Sequence, residues 1–190
     1  MSAELRLIAD PRATYARLRQ AQVPIGGLAA LRRPALVALV LGASIAMAGT
    51  RHAPIALVLS STILWSILVL AQISIALAFV AAPARRTVGV ARALDLFFAS
   101  HAPWSLWMLA VVAWAPLPGA RSLTVVLVAA VVPVVLTFGM IAAHFEHVLG
   151  FDRRTAIRRT VLHQAITWSA LLGTYAGAVA LLPRILQWIQ

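Results

Sequence analysis

Residues 54–82 contain no charged side chain. The hydrocarbon core of a bilayer, about 30 Å thick, is crossed by roughly 20 apolar residues in a helix. This run is therefore long enough to span with residues to spare, and a tilted or partly interfacial helix is expected. In lipid every backbone N–H and C=O must be satisfied within the segment, so a run of this kind has to be helical. Residues 34–49, 96–117, 123–143 and 165–182 share the pattern. The chain reads as all-α: a polytopic integral membrane bundle of five transmembrane helices over residues 34–190, preceded by a cytoplasmic arm over residues 1–33. Composition agrees, with 62% hydrophobic and only 11% charged residues and a mean hydropathy of +0.93. A soluble domain carries about 25% charged residues. Pro103 lies near the start of the third span. Pro133 sits at mid-depth in the fourth, where loss of one backbone hydrogen bond predicts a kink. The fifth is expected to end before Pro183.

Arginine sets the orientation. All 16 basic residues are arginine, and only Arg51, Arg121 and Arg184 fall on one side of the spans. The others lie in the arm (Arg6, Arg12, Arg17, Arg19, Arg32, Arg33), the loop before the third span (Arg85, Arg86, Arg92) and the segment before the fifth (Arg153, Arg154, Arg158, Arg159). By the positive-inside rule the amino terminus is cytoplasmic and the carboxyl terminus outside. The outer loops are too short to hold a domain. A bias to arginine, alanine, leucine and valine points to a GC-rich bacterial genome, hence to the inner membrane. Absence of cysteine excludes disulfides and thiolate chemistry. The arm, with Glu4, Asp10, Pro11 and Pro24, lacks the apolar core of a secretory signal.

The polar segments carry what chemistry there is. In "DPRATYARLRQAQ", Asp10 is placed as an N-cap and Pro11 at the first helical position, with Tyr15 and Leu18 close together. A short interfacial helix held by apolar contact and anionic headgroups is expected. In "VLGFDRRTAIRRTVLHQ", Gly150 ends one helix and Asp152 caps the next. Arg153, Arg154, Arg158 and Arg159 then stand where the helix dipole disfavours positive charge, so lipid phosphates or a partner's carboxylates are expected to offset it. Arg85, Arg86 and Arg92 extend this candidate lipid- or partner-binding surface. Arg92 and Asp95 are three apart and can pair. Asp95 and His101, the latter just inside the third span, are the candidate functional polar residues.

"HFEH" places His144 and His147 about 60° apart on a helix with Glu146 roughly opposite, and lacks the i, i+4 histidine spacing of metalloproteases. A further ligand would come from His101, His163 or Asp95, all expected near water at the same interface. Two histidines suffice for b-type haem, which keeps a redox subunit open as an alternative; the expectation is structural histidines with no metal and no cofactor. No activated serine, phosphate-binding glycine loop or carboxylate pair is present, so no catalytic residue is assigned. Ser60, Ser61, Thr62, Ser66 and Gln72 give the second span a polar element suited to helix packing. Gly173 and Gly177 form a GxxxG where helices can approach closely.

Three stretches carry a resemblance: "DPRATYARL", with Pro11, Tyr15 and Leu18; "RRTVGVARALDLFFASHAPW", a basic loop leading to Pro103; and "VLGFDRRTAIRRTVLHQ" before the last span. Together they resemble the bacterial branch of the Ypt-interacting protein (Yip) family of five-span membrane proteins. The acidic segment found before the first span in eukaryotic relatives is absent, so GTPase binding does not carry over. The resemblance implies a non-enzymatic membrane protein acting through lipid or a partner: another membrane protein, or its own copy in a homo-oligomer. Nucleic acid is not expected as a partner. A transporter or channel component is the other class to weigh.

Overall fold

The computed structural model describes residues 3–21, 25–49, 54–114 and 123–189. Among them the regular structure is helical throughout: α1 (Ala3–Ala9), α2 (Pro11–Gln20), a 3-10 turn (Ala29–Leu31) leading into α3 (Arg32–Gly49), α4 (Ile55–Ala84), α5 (Val90–Ala99), α6 (Ala102–Trp114), α7 (Leu123–Ala143), a π-helical turn (His144–Val148) and α8 (Arg153–Ile189). Four segments are long and apolar enough to cross a membrane: Ala29–Met47, Ile55–Ala84, Val90–Trp114 and Thr124–Val148. Their outer surfaces are apolar, with Ile63, Leu64, Ile67, Leu127, Val128 and Val135 all more than half exposed. Only 17% of the most apolar window of α4 is buried inside the protein. A soluble protein does not leave so much contiguous apolar surface to water. These helices mark an integral membrane protein.

Two expectations are corrected. The segment expected as one span over residues 96–117 begins earlier and is broken; the part beyond Trp114 lies outside the described residues. Pro103 has no N–H to give the Ala99 carbonyl, and the break falls just before it. The chain instead tightens, with the Ser100 and His101 N–H groups bonding to Phe97 O (3.0 Å) and Phe98 O (3.1 Å), and restarts with Ser105 N–H on His101 O (3.1 Å). At the other end of the chain, α8 does not stop before Pro183 but continues to Ile189. Lipid offers no competing partner for freed backbone groups, and small local adjustments let membrane helices tolerate proline. Tyr15 is fully buried against the bundle, where its hydroxyl finds a carbonyl to bond.

α3 and α4 pack most closely. A side chain at Gly42 would run into the backbone and Oγ1 of Thr62, so only glycine allows this crossing. The Thr62 hydroxyl is itself turned back on Val58 O (2.7 Å), and Ser60 and Ser66 do the same on Ala56 O (2.6 Å) and Ile63 O (2.6 Å). By contrast nothing among the described residues approaches Gly173 or Gly177, so that small-residue face is uncovered. Leu7, Tyr15, Val80, Ala93, Phe97 and Phe145 belong to one core at the arginine-rich end of the bundle.

Candidate functional site

The site is built around α5. Its carboxyl end breaks at Ser100, so several of its carbonyls are left without a helical donor or with one lone pair free. Side chains from elsewhere, and that of Ser100 itself, fill these places. Tyr15 donates to Leu96 O (3.0 Å), Arg33 Nη1 to Asp95 O (3.2 Å), and Ser100 Oγ to Phe97 O (2.6 Å). His144 Nε2 lies 3.0 Å from Ala93 O; a carbonyl can only accept, so the proton sits on Nε2. Burial pushes the Tyr15 phenol above its usual range, which keeps it a donor. Asp95 adds charge: its Oδ2 is 2.6 Å from Arg33 Nη1 and 3.7 Å from Arg92 Nη1. The Arg92 pair follows from the i, i+3 spacing. Arg33, 62 positions away, gives the shorter contact and was not foreseen.

The opening of the second half of the site comes from Asp10 and Gly150. Asp10 caps α2 by accepting from Ala13 N–H (3.1 Å), with Pro11 opening the helix. α2 then reaches the π-helical turn through Arg12 to Glu146 (3.7 Å) and Arg19 Nη1 to His147 O (3.3 Å), while Arg92 Nη2 donates to Leu18 O (3.4 Å). The turn closes with Leu149 N–H on His144 O and Phe151 N–H on Phe145 O, each one residue longer than an α-helical ending uses. Gly150, at φ +76°, supplies the left-handed residue this stop requires. Asp152 then caps α8, accepting from Thr155 N–H (3.0 Å).

The histidines are placed differently from expectation. His144 is fully buried, whereas His147 is half-buried beside Glu146 (3.9 Å), so the two do not act together. His101 and His163 are buried as well, not near water. The reason is Phe97, whose ring meets His101, His144 and His163 at centroid separations of 5.7, 5.7 and 5.1 Å. Phe79 packs on His163 (5.4 Å) and Tyr15 on His144 (5.5 Å). The three imidazoles serve as ring-packing groups around one phenylalanine. Among the described residues no three His, Asp or Glu side chains are disposed to hold a metal.

The candidate arginines divide into two sets. Arg92 is engaged by Asp95 and Leu18, and Arg159 lies over the Phe151 ring, 4.2 Å from its centroid. Arg85, Arg86, Arg153, Arg154 and Arg158 are exposed. Arg158 and Arg159, with Phe79 and Thr155, line a groove of about 520 Å³ between α4 and the start of α8. No protein-family model matches this chain, and neither a curated protein nor a solved structure matches it.

Proposed function

We propose that the chain is a non-enzymatic, five-span membrane protein of the Yip type, amino terminus inside and carboxyl terminus outside, whose cytoplasmic end binds anionic lipid headgroups. The setting is the bacterial inner membrane, and α8 supplies the fifth span. The observation that carries this reading is the set of exposed arginines, Arg85, Arg86, Arg153, Arg154 and Arg158, gathered at the well-packed end of the bundle. Charges at the start of α8 oppose its dipole by roughly 0.3–1 kcal/mol each. An anionic leaflet returns about 1 kcal/mol per basic residue. The groove beside Arg158 gives a phosphate an apolar wall in Phe79 and a hydroxyl in Thr155. The uncovered Gly173 and Gly177 face supports a second, subsidiary reading, in which another membrane helix, from a partner or a second copy, packs there.

The test is thermal unfolding in nanodiscs of rising phosphatidylglycerol content. The wild type should gain stability with anionic lipid, and the Arg153→Gln, Arg154→Gln, Arg158→Gln protein should gain much less. Equal response would show that these arginines are topology signals only.

A further inference from the structure

α8 joins the bundle without a polar tie. Among the described residues no hydrogen bond or ion pair links it to another helix, and the hydroxyls of Thr160 and Thr174 bond to Ala156 O and Ala170 O of α8 itself. Rings hold it instead. His163 meets Phe79 and Phe97 at 5.4 and 5.1 Å, and Trp168 meets Trp104 at 5.8 Å. Apolar contact alone drives little association between spans, because lipid tails are as apolar as the side chains. The occupant of the groove between α4 and α8 therefore bears on how firmly this helix sits.

That groove, of about 520 Å³, has two halves of opposite chemistry: Arg158 and Arg159 on one side, Ala78, Phe79 and Leu162 on the other. The apolar half runs on away from the arginine-rich end. Along α8 it continues from Leu162 to Ile166, four residues on and also exposed. Along α4 it continues from Ala78 to Ser74, whose hydroxyl is turned onto Leu70 O (3.0 Å). The charged half has no counter-charge. Residues 153–190 contain no acidic side chain, and among the described residues no carboxylate pairs with Arg158 or Arg159. Arg159 is held over the Phe151 ring (4.2 Å), which packs on the buried Phe145 (6.3 Å), so much of its ordering entropy is lost before any ligand arrives. Guanidiniums match phosphate oxygens two at a time. A free anion would leave the apolar half empty, and an acyl chain alone would leave the arginines unpaired. A headgroup ammonium would find no carboxylate. Basic pockets between spans at the cytoplasmic side suit anionic phospholipids, which carry both halves in one molecule.

We propose that the groove holds one anionic phospholipid per chain, of the phosphatidylglycerol type, its phosphate between Arg158 and Arg159 and one acyl chain along Ala78, Leu162 and Ile166, and that this bound lipid seats α8 against α4. The site rests on the headgroup reading given above and requires more than it: a defined place and stoichiometry, where attraction to a charged leaflet requires charge alone.

The experiment is native mass spectrometry of the full chain titrated with phosphatidylglycerol, with phosphatidylcholine and inorganic phosphate as competitors, paired with thermal unfolding in nanodiscs. One phosphatidylglycerol per chain should saturate first and resist both competitors. Arg158→Gln should weaken that binding about tenfold to a hundredfold, the range for one hydrogen bond to a charged group. The Arg85→Gln, Arg86→Gln protein loses more charge, but outside the groove, and should bind within about threefold of wild type because exposed charges are screened. Ala78→Trp fills the apolar half without changing charge; it should weaken binding at least as much as Arg158→Gln and lose most of the gain in melting temperature from phosphatidylglycerol. Equal losses in Arg158→Gln and in the Arg85→Gln, Arg86→Gln protein would overturn the site and leave the headgroup reading standing, as would wild-type affinity in a folded Ala78→Trp protein. Displacement by inorganic phosphate would overturn the lipid assignment. Saturable binding with no gain in melting temperature would overturn the seating of α8, and no response of the wild type to phosphatidylglycerol in either measurement would overturn both readings.

Discussion

Replacing Asp95 by asparagine removes a negative charge that faces both Arg33 and Arg92 while keeping side-chain volume. The carboxylate is 11% exposed, Arg92 is 14% exposed and Arg33 is 28% exposed. Breaking a fully buried ion pair by removing one partner costs about 3–5 kcal/mol, because the other charge is stranded. Partial exposure of Arg33 lets water screen part of that, so a loss of about 2–4 kcal/mol is expected. The contact between Arg33 and Asp95 is a charge-assisted hydrogen bond at 2.6 Å, and such bonds contribute about 1.5–3 kcal/mol. A double-mutant cycle with Arg33→Gln should return a coupling energy of that size. The assay is reversible unfolding by SDS in mixed micelles, followed by tryptophan fluorescence. If Asp95→Asn lies within about 0.5 kcal/mol of wild type, the range of an ordinary surface substitution, the pair does not tie α3 to α5 and this account of the site is refuted.

Tyr15→Phe should destabilise the protein by about 1–2 kcal/mol in the same assay, because Leu96 O then loses the buried phenol donor; an unchanged midpoint would mean that the bond contributes nothing to stability. Gly42→Val should cost at least about 1–3 kcal/mol through collision with Thr62, whereas the Gly173→Ala, Gly177→Ala protein should match wild type as a monomer. Reporter fusions after residues 49, 120 and 190 should read outside and those after 84 and 151 inside; an even number of spans would contradict the topology. Hydrogen bonds from Thr155 hold the Asp152 carboxyl below its usual range, so its capping of α8 is fully present above that range and is lost as pH falls through the lowered value. The melting temperature of wild type should therefore drop more on acidification than that of Asp152→Ala, and parallel pH curves would show that the cap is idle.

What could be read from sequence was local. Asp10 before Pro11, Gly150 two residues ahead of Asp152, and the Arg92–Asp95 spacing each involve neighbours within one turn, and each stands in the structure as the spacing implies. A helix over residues 123–143 was legible from hydropathy alone. The break between α5 and α6 was also legible, since Pro103 deprives Ala99 O of its donor, but the apolar run on both sides concealed it. Other features needed the third dimension. Nothing in the spacing links Tyr15 to Leu96, or Arg33 to Asp95. Gly42 looks no different from Gly173, yet one sits at a helix crossing and the other faces nothing. The histidines were assigned to the water interface from their position along the chain. Their burial depends on Phe97, which periodicity cannot place among them.

The concentration of polar contacts at one end has a physical cause. Lipid tails are as apolar as leucine, so burying apolar surface gives the spans little reason to associate, and close packing and hydrogen bonds must do so. Within α4, the hydroxyls of Ser60, Thr62 and Ser66 bond back to their own helix. At the arginine-rich end, the interrupted α5 presents carbonyls that side chains from α2, α3 and the π-helical turn reach. Association is thus directed by carbonyls of α5, whose helix ends just before Pro103. This separates the arginines by role. Arg33 and Arg92 face a buried carboxylate, so their loss should lower stability in any detergent or lipid. Arg85, Arg86, Arg153, Arg154 and Arg158 face outward, so their loss should register only where anionic headgroups are present. A stability loss in neutral lipid on removing the second set would show that the exposed arginines also build the fold, and the division would fail.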